Sequence, residues 1–453
     1  MSGATMRNAA CRLVLFIVLL VAPHIPPALA AEVQRVVSPG GIEAWLIEDH
    51  MVPVLSLRMA FRGGAALDPE GKAGTANMAA SLLDEGAGDL DSEAFQKRLA
   101  DLSISLGFSA GRDSVEGSLG TLTENRDEAF RLLSLALTEA RFDPEPVQRV
   151  RDQIASSLAR RAVDPGWIAS RTFMELVFAG HPYASPVDGT LETLPRIAVE
   201  DLRAFVKTRL ARDNLIVGVA GDITAAELGP LLDKAFAGLP KTAGAVDVPA
   251  ATLRNGGETV VIERPVPQSV ALFGESGIPR KDPDWYAGQV VNYVLGGGGF
   301  NSRLMEEIRE KRGLAYGVST GISPYDEASV LIGQVATQNA RVAESLDLVR
   351  QEWKRMAEEG PTQEELDNAK TYLIGSFPIG LDSTGSIAAT LVAMQRYDLG
   401  IDHLDRRSAL IEAVTLEDAR RVAKRLLDPA ALTFVVVGQP EGVKPTRQPP
   451  DKS

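Results

Sequence analysis

The sequence predicts an α+β protein of two homologous tandem domains, each an antiparallel-rich sheet packed with helices, on three observations. A helix, turn and strand unit recurs at an offset of 217 residues: Glu200, Asp201, Arg203, Lys207, Leu215, Val219 and Gly221 return as Glu417, Asp418, Arg420, Lys424, Leu432, Val436 and Gly438. In both copies the helix stops at a turn, Asp213-Asn214 or Asp428-Pro429, before an apolar strand closed by glycine. Each half also opens on strands before its helices, which is the order of an α+β arrangement. A register kept over so many positions marks a duplication.

The chain begins with Arg7 and Arg12 at the start of a ten-residue apolar run, 13–22, followed by Pro26, Pro27 and the small-x-small triplet Ala28-Leu29-Ala30. Residues 1–30 therefore read as a secretory signal peptide cleaved before Ala31. Ten apolar residues are too few for a hydrocarbon core about 30 Å thick, so a periplasmic protein without a stable membrane anchor is expected. The N-terminal domain, 31–240, should carry strands at 33–37, 42–48 and 54–62, then helices near 73–85, 92–101, 126–140, 144–162 and 199–210. Asp143-Pro144 caps one helix, and the capping box Thr362-x-x-Glu365 opens another 219 residues later. Residues 241–257, within a stretch rich in Ala, Gly and Pro, form the linker. The C-terminal domain, 258–440, opens on strands at 258–263 and 269–274, and 441–453 reads as a disordered tail.

The only cysteine, Cys11, lies in the leader, so the mature chain has no disulfide or thiolate and depends on core burial for stability. Loss of the leader's two arginines moves the net charge from −13 to −15, which argues against nucleic acid. His50, His181 and His403 are the histidines left in the mature chain. None has a partner at ligand spacing, and all three read as non-catalytic.

The segment 71–87 places Asn77, Ala80 and Ser81 on a helix with an apolar stripe of Met78, Ala79, Leu82 and Leu83. It resembles the metal-binding helix of the pitrilysin/insulinase family of zinc peptidases, the inverzincins, which carries His-x-x-Glu-His. In that family two imidazoles one turn apart hold Zn²⁺, and the glutamate handles the proton of the attacking water. Here those positions are Asn77, Ala80 and Ser81, and the family's third ligand, a later glutamate, falls on Gln153 in Val150-Arg151-Asp152-Gln153-Ile154. An amide, a methyl and a hydroxyl cannot replace two imidazoles and a base. The resemblance thus implies a degenerate site without metal, and it extends to His181-Pro182-Tyr183, a structural turn of the family, to Gly189-Thr190, and to 362–370.

The most specific stretch, Leu295 onward through Gly296, Gly297, Gly298, Gly299, Phe300 and Asn301 to Tyr316, resembles the family's second-domain signature. Asn301 or Ser302 should cap a helix whose apolar edge is Leu304, Met305 and Ile308 and which Gly313 ends. A strand from Leu314 follows, by the alternation of Leu314, Tyr316 and Val318 with Ala315, Gly317 and Ser319. In the family an Arg and a Tyr at the positions of Arg309 and Tyr316 reach the zinc site of the other half or subunit. A permanent cation and a phenol O–H can both stabilise the oxyanion formed when water attacks a peptide carbonyl. The four glycines lack a following GK[ST] and read as a mobile substrate-binding loop near bound peptide rather than a phosphate loop. The resemblance implies a zinc-free subunit of a two-component peptidase, a heterodimer whose homologous partner carries His-x-x-Glu-His and the zinc and which cleaves peptides. A non-enzymatic peptide-binding or assembly protein on the same fold is the alternative, and the retention of both Arg309 and Tyr316 argues against it.

Overall fold

The computed structural model describes residues 32–245, 247–254 and 256–450, so the signal peptide expected at 1–30 lies outside the described residues. Eleven strands form two sheets among the described residues. The first contains β1 (Gln34–Val37), β2 (Glu43–Glu48), β3 (Val54–Arg62), β4 (Ser105–Ala110), β5 (Ser114–Leu122) and β6 (Leu215–Gly221), in the order β1-β2-β6-β3-β5-β4. The second contains β7 (Thr259–Glu263), β8 (Gln268–Ser276), β9 (Ala315–Pro324), β10 (Ser329–Gln338) and β11 (Thr433–Gly438), in the order β7-β11-β8-β10-β9.

Without β1 the two orders are the same, and each sheet has one parallel pair, β2 with β6 and β7 with β11. The repeat seen in the sequence is therefore a repeat of topology. A polar brace recurs as well. Lys72 Nζ lies 2.6 Å from Asp201 on the helix Val199–Arg209, and Asp284 lies 2.7 Å from Arg421 on the corresponding helix Leu416–Leu426, with the charges exchanged.

One face of each sheet carries a core built with its own helices, including Phe95, Phe130, Leu202 and Phe236 in the first half and Val290, Leu346, Trp353 and Val422 in the second. The opposite faces are covered by exchange. The helix Pro165–Val177 of the first half lays Ile168, Phe173 and Val177 on Val260, Leu272, Val435 and Val437 of the second sheet. In return Thr384–Arg396 lays Ala388, Leu391 and Met394 on Ile47 and Ala220 of the first. Contact is so close that a Cβ on Gly218 of β6 would lie 2.4 Å from the Ala388 carbonyl oxygen, which accounts for glycine within a strand.

A buried polar joint closes the seam. Asp113, in the β4–β5 turn, accepts from the Tyr183 hydroxyl at 2.5 Å and from Asp326 N in the β9–β10 turn at 3.0 Å, and Glu327 N donates to Tyr183 at 3.1 Å. Arg396 of the exchanged helix lies 3.4 Å from Asp113 and 3.0 Å from Asp326. The turn His181-Pro182-Tyr183 is thus part of the joint between the halves.

Three local expectations are corrected. The helix expected over 73–85 is confined to Thr75–Ala80, because the amides of Leu82 and Leu83 bond three residues back and the Ser81 hydroxyl bonds Asn77 O. Asp143 precedes its helix without capping it, since its carboxylate is taken by Arg141 at 2.6 Å, whereas the Thr362–Glu365 capping box is formed. The tail expected to be disordered is held as far as Arg447 by β7 and the residue before it: Thr446 N bonds Thr259 O, Thr259 N bonds the Thr446 hydroxyl, and Arg447 pairs with Glu258 at 2.7 Å.

Candidate functional site

The second-domain signature folds into two wide helical turns against β9. Residues 293–297 and 305–310 are π-helical, with Gly298 N bonding Tyr293 O and Lys311 N bonding Glu306 O, five residues back. Such turns are rare and often mark functional sites. Leu304, Met305 and Ile308 are buried as the apolar spacing requires. Ser302 does not cap through its side chain, because its hydroxyl donates to Gly299 O. The segment is anchored by Arg303, buried and bidentate to Glu365 at 2.6 and 2.7 Å, with a third bond to Gly360 O. Burial raises the Glu365 carboxyl, but Arg303 and the Thr362 N–H outweigh it and hold it below the usual range.

The four glycines are not an open loop. A Cβ on Gly296 would lie 2.6 Å from the Thr320 hydroxyl, on Gly297 2.5 Å from Asn292 Nδ2, and on Gly298 2.7 Å from Tyr293 O. Close packing on their own chain requires these three. Only Gly299, at φ +58°, has open space around it.

Arg309 and Tyr316 are brought together. The Arg309 guanidinium carbon lies 4.8 Å from the Tyr316 ring centre and 4.4 Å from that of Phe300, so the cation is held between two rings. Its one ion-pair neighbour among the described residues is Glu310 at 3.4 Å. Tyr316 is 88% exposed and Phe300 63%. A groove of ≈ 930 Å³ opens over the face of β9 and β10, lined by Arg309, Tyr316, Ser319, Gln334 and Gln338. Phe300 was not singled out by sequence reasoning, although an aromatic next to Gly299 in the signature was a visible signal.

The first half presents no such convergence. Ala80 is buried and has no donor atom, the Ser81 hydroxyl is spent on Asn77 O, and Gln153 is exposed on the helix Pro144–Arg161. Glu85 is bound bidentately by Arg149 of that helix at 3.2 and 2.6 Å. This donor set does not fit a zinc ion. The histidines lie apart, each with a structural partner. His50 bonds Asp222 at 2.7 Å and Glu48 at 3.4 Å, which hold its imidazole above the usual range. His181 bonds Tyr183 N and Pro249 O. Burial, with Arg280 next, brings His403 down to about 4 beside the Tyr286 hydroxyl.

With this geometry in view, the comparisons agree. The family model described as Peptidase M16 inactive domain matches residues 196–373. The fold is similar to the crystal structure of a peptidase M16 inactive domain from Pseudomonas fluorescens, with TM-score 0.85 and 28% identity over 92% of this chain and 100% of that one. Among curated proteins the chain resembles a non-peptidase homolog, YmxG, of Helicobacter pylori, 28% identical over 391 residues, 86% of this chain and 90% of the relative. It also resembles an uncharacterized zinc protease of Streptomyces coelicolor, 29% identical over 301 residues, 64% of each chain. By these likenesses the chain is similar to peptidase M16, the pitrilysin/insulinase family. They support an inactive, M16-like non-peptidase homologue, the kind of chain that fits a first domain without metal ligands.

Proposed function

We propose that this protein is the zinc-free subunit of a periplasmic two-component metallopeptidase, exported by its signal peptide and paired with a homologous chain that carries His-x-x-Glu-His. The observation that carries the reading is the stacked Arg309, set between Phe300 and an exposed Tyr316 on the half that kept its signature. A guanidinium fixed by rings, with only its Nε facing Glu310, keeps its terminal N–H groups for an acceptor, and the Tyr316 hydroxyl bonds no other described residue. Together they can donate to a peptide carbonyl oxygen as negative charge develops on it. The partner supplies the metal, and this chain closes the chamber.

The test is to purify the chain alone and together with a His-x-x-Glu-His homologue from the same organism, then measure zinc and cleavage of unstructured peptides. Cleavage is expected only in the mixture, and Arg309→Ala or Tyr316→Phe should lower it by about 100-fold without changing the zinc content. Stoichiometric zinc in the isolated chain overturns the reading. Cleavage indifferent to both substitutions favours a peptide-binding or assembly role instead.

A further inference from the structure

We infer that a second cavity, lined by none of the residues discussed above as a site, binds an apolar molecule ending in a carboxylate. It lies between the halves and has a volume of ≈ 490 Å³, the size of small-ligand pockets. Leu158, Trp167 and Ile168 come from two helices of the first half and Leu191 from a nearby turn, so an apolar wall faces the space. Arg264, from the β7–β8 connection, brings the second half to its rim.

The polar end is set by Thr172, which is only 1% exposed yet lines the cavity. The helical threonines Thr138, Thr208, Thr371 and Thr390 each donate to the carbonyl four residues back, the usual use of such a hydroxyl. Thr172 makes no hydrogen bond to any described residue. Because Thr172 lines the cavity, its hydroxyl is a donor free to meet an acceptor there.

Two guanidinium groups share the cavity. Arg171 lies 5.5 Å from the Trp167 ring, and Arg264 donates to the carbonyl of its neighbour Glu263; neither has an ion-pair partner among the described residues. Arg161, 5.9 Å from the same ring, is already paired with Asp188. One carboxylate, Glu192, also lines the space and has a partner of its own. Two cations and a hydroxyl donor against one anion match an acceptor-only anionic head, and the apolar wall matches an apolar body. A fatty acid and the C-terminus of a peptide ending in an apolar residue both have this chemistry.

Trp167 supplies the readout. The full chain is titrated with dodecanoate and dodecanol, and with an unstructured peptide ending in leucine as its acid and its amide, while tryptophan fluorescence is followed. A carboxylate probe should give a saturable change that is absent in Trp167→Phe and that its neutral counterpart does not give. Thr172→Val and Arg264→Gln should each raise the dissociation constant by about tenfold. Thr172→Val nearly keeps the side-chain volume, and an unchanged melting curve separates lost binding from misfolding. Saturation by dodecanoate alone assigns the site to lipid acids, and by the peptide acid alone to peptide ends. No saturation by either carboxylate, equal response to the neutral probes, or indifference to both substitutions overturns the proposal. Peptide cleavage by the two-chain mixture is not part of this readout, so the two proposals fail separately.

Discussion

Arg309 takes its position from two rings more than from a countercharge, and a contact of this kind is worth about 0.5–1 kcal/mol at an exposed site. Phe300→Ala should therefore lower cleavage by the two-chain mixture only about two- to fivefold, leaving its zinc content unchanged, because Tyr316 still flanks the cation. Full activity in this variant would show that Phe300 has no part in placing Arg309. A different residue governs pH dependence. Burial pushes the Glu275 carboxyl up to about 8, although Trp353 Nε1 at 2.5 Å and Asp428 N at 3.1 Å donate to it. Its folded value lies above its unfolded one, so its contribution is complete below about pH 4.5 and is lost as pH rises through 8. Wild type should lose stability relative to Glu275→Gln between pH 6.5 and 8, by up to about 1.4 kcal/mol per pH unit, read from melting temperatures across that range. Parallel pH curves for the two proteins would refute this. Sequence reasoning singled out Arg309 and Tyr316 because a signature surrounds them. It missed Glu275, since a lone acid within a strand does not announce that a distant Trp353 will bury against it.

At the scale of elements, the exchanged helices and the polar joint set the vulnerable points. Gly218→Val places atoms where the Ala388 carbonyl already lies and should cost about 1–3 kcal/mol, measured by denaturant unfolding. A neutral result would mean that the helix Thr384–Arg396 does not sit on β6. Tyr183→Phe leaves Asp113 and Glu327 N each short of a partner in a buried place and should cost about 1–3 kcal/mol. The strands and most helices were legible because their apolar periods are local. The exchange was not, since it joins residues more than 80 positions apart, and the apolar Ile387, Ala388, Leu391, Val392 and Met394 do not by themselves say which sheet their helix covers. Glycine runs mislead for a physical reason: the missing Cβ permits both freedom and close packing, and Gly296, Gly297 and Gly298 use the second.

For the whole molecule, the two halves are chemically unequal and mechanically inseparable. The chain expressed as two pieces, divided within 241–257, should give two poorly soluble halves, because each exposes the apolar sheet face that the other's helix covers. Their co-expression should restore a soluble pair, read by size-exclusion chromatography. Halves that are each monomeric and soluble on their own would contradict the exchange. The same feature sets an order of events during synthesis. The first sheet is complete once β6 has been made, yet its outer face waits for Thr384–Arg396, some 160 residues later. Folding from the N-terminal end, the usual course for tandem domains, must therefore stop at an unfinished intermediate with a sticky surface. Over those residues of synthesis the outer face of the first sheet has no cover from its own chain, and it gains one only when the helix Thr384–Arg396 has been made.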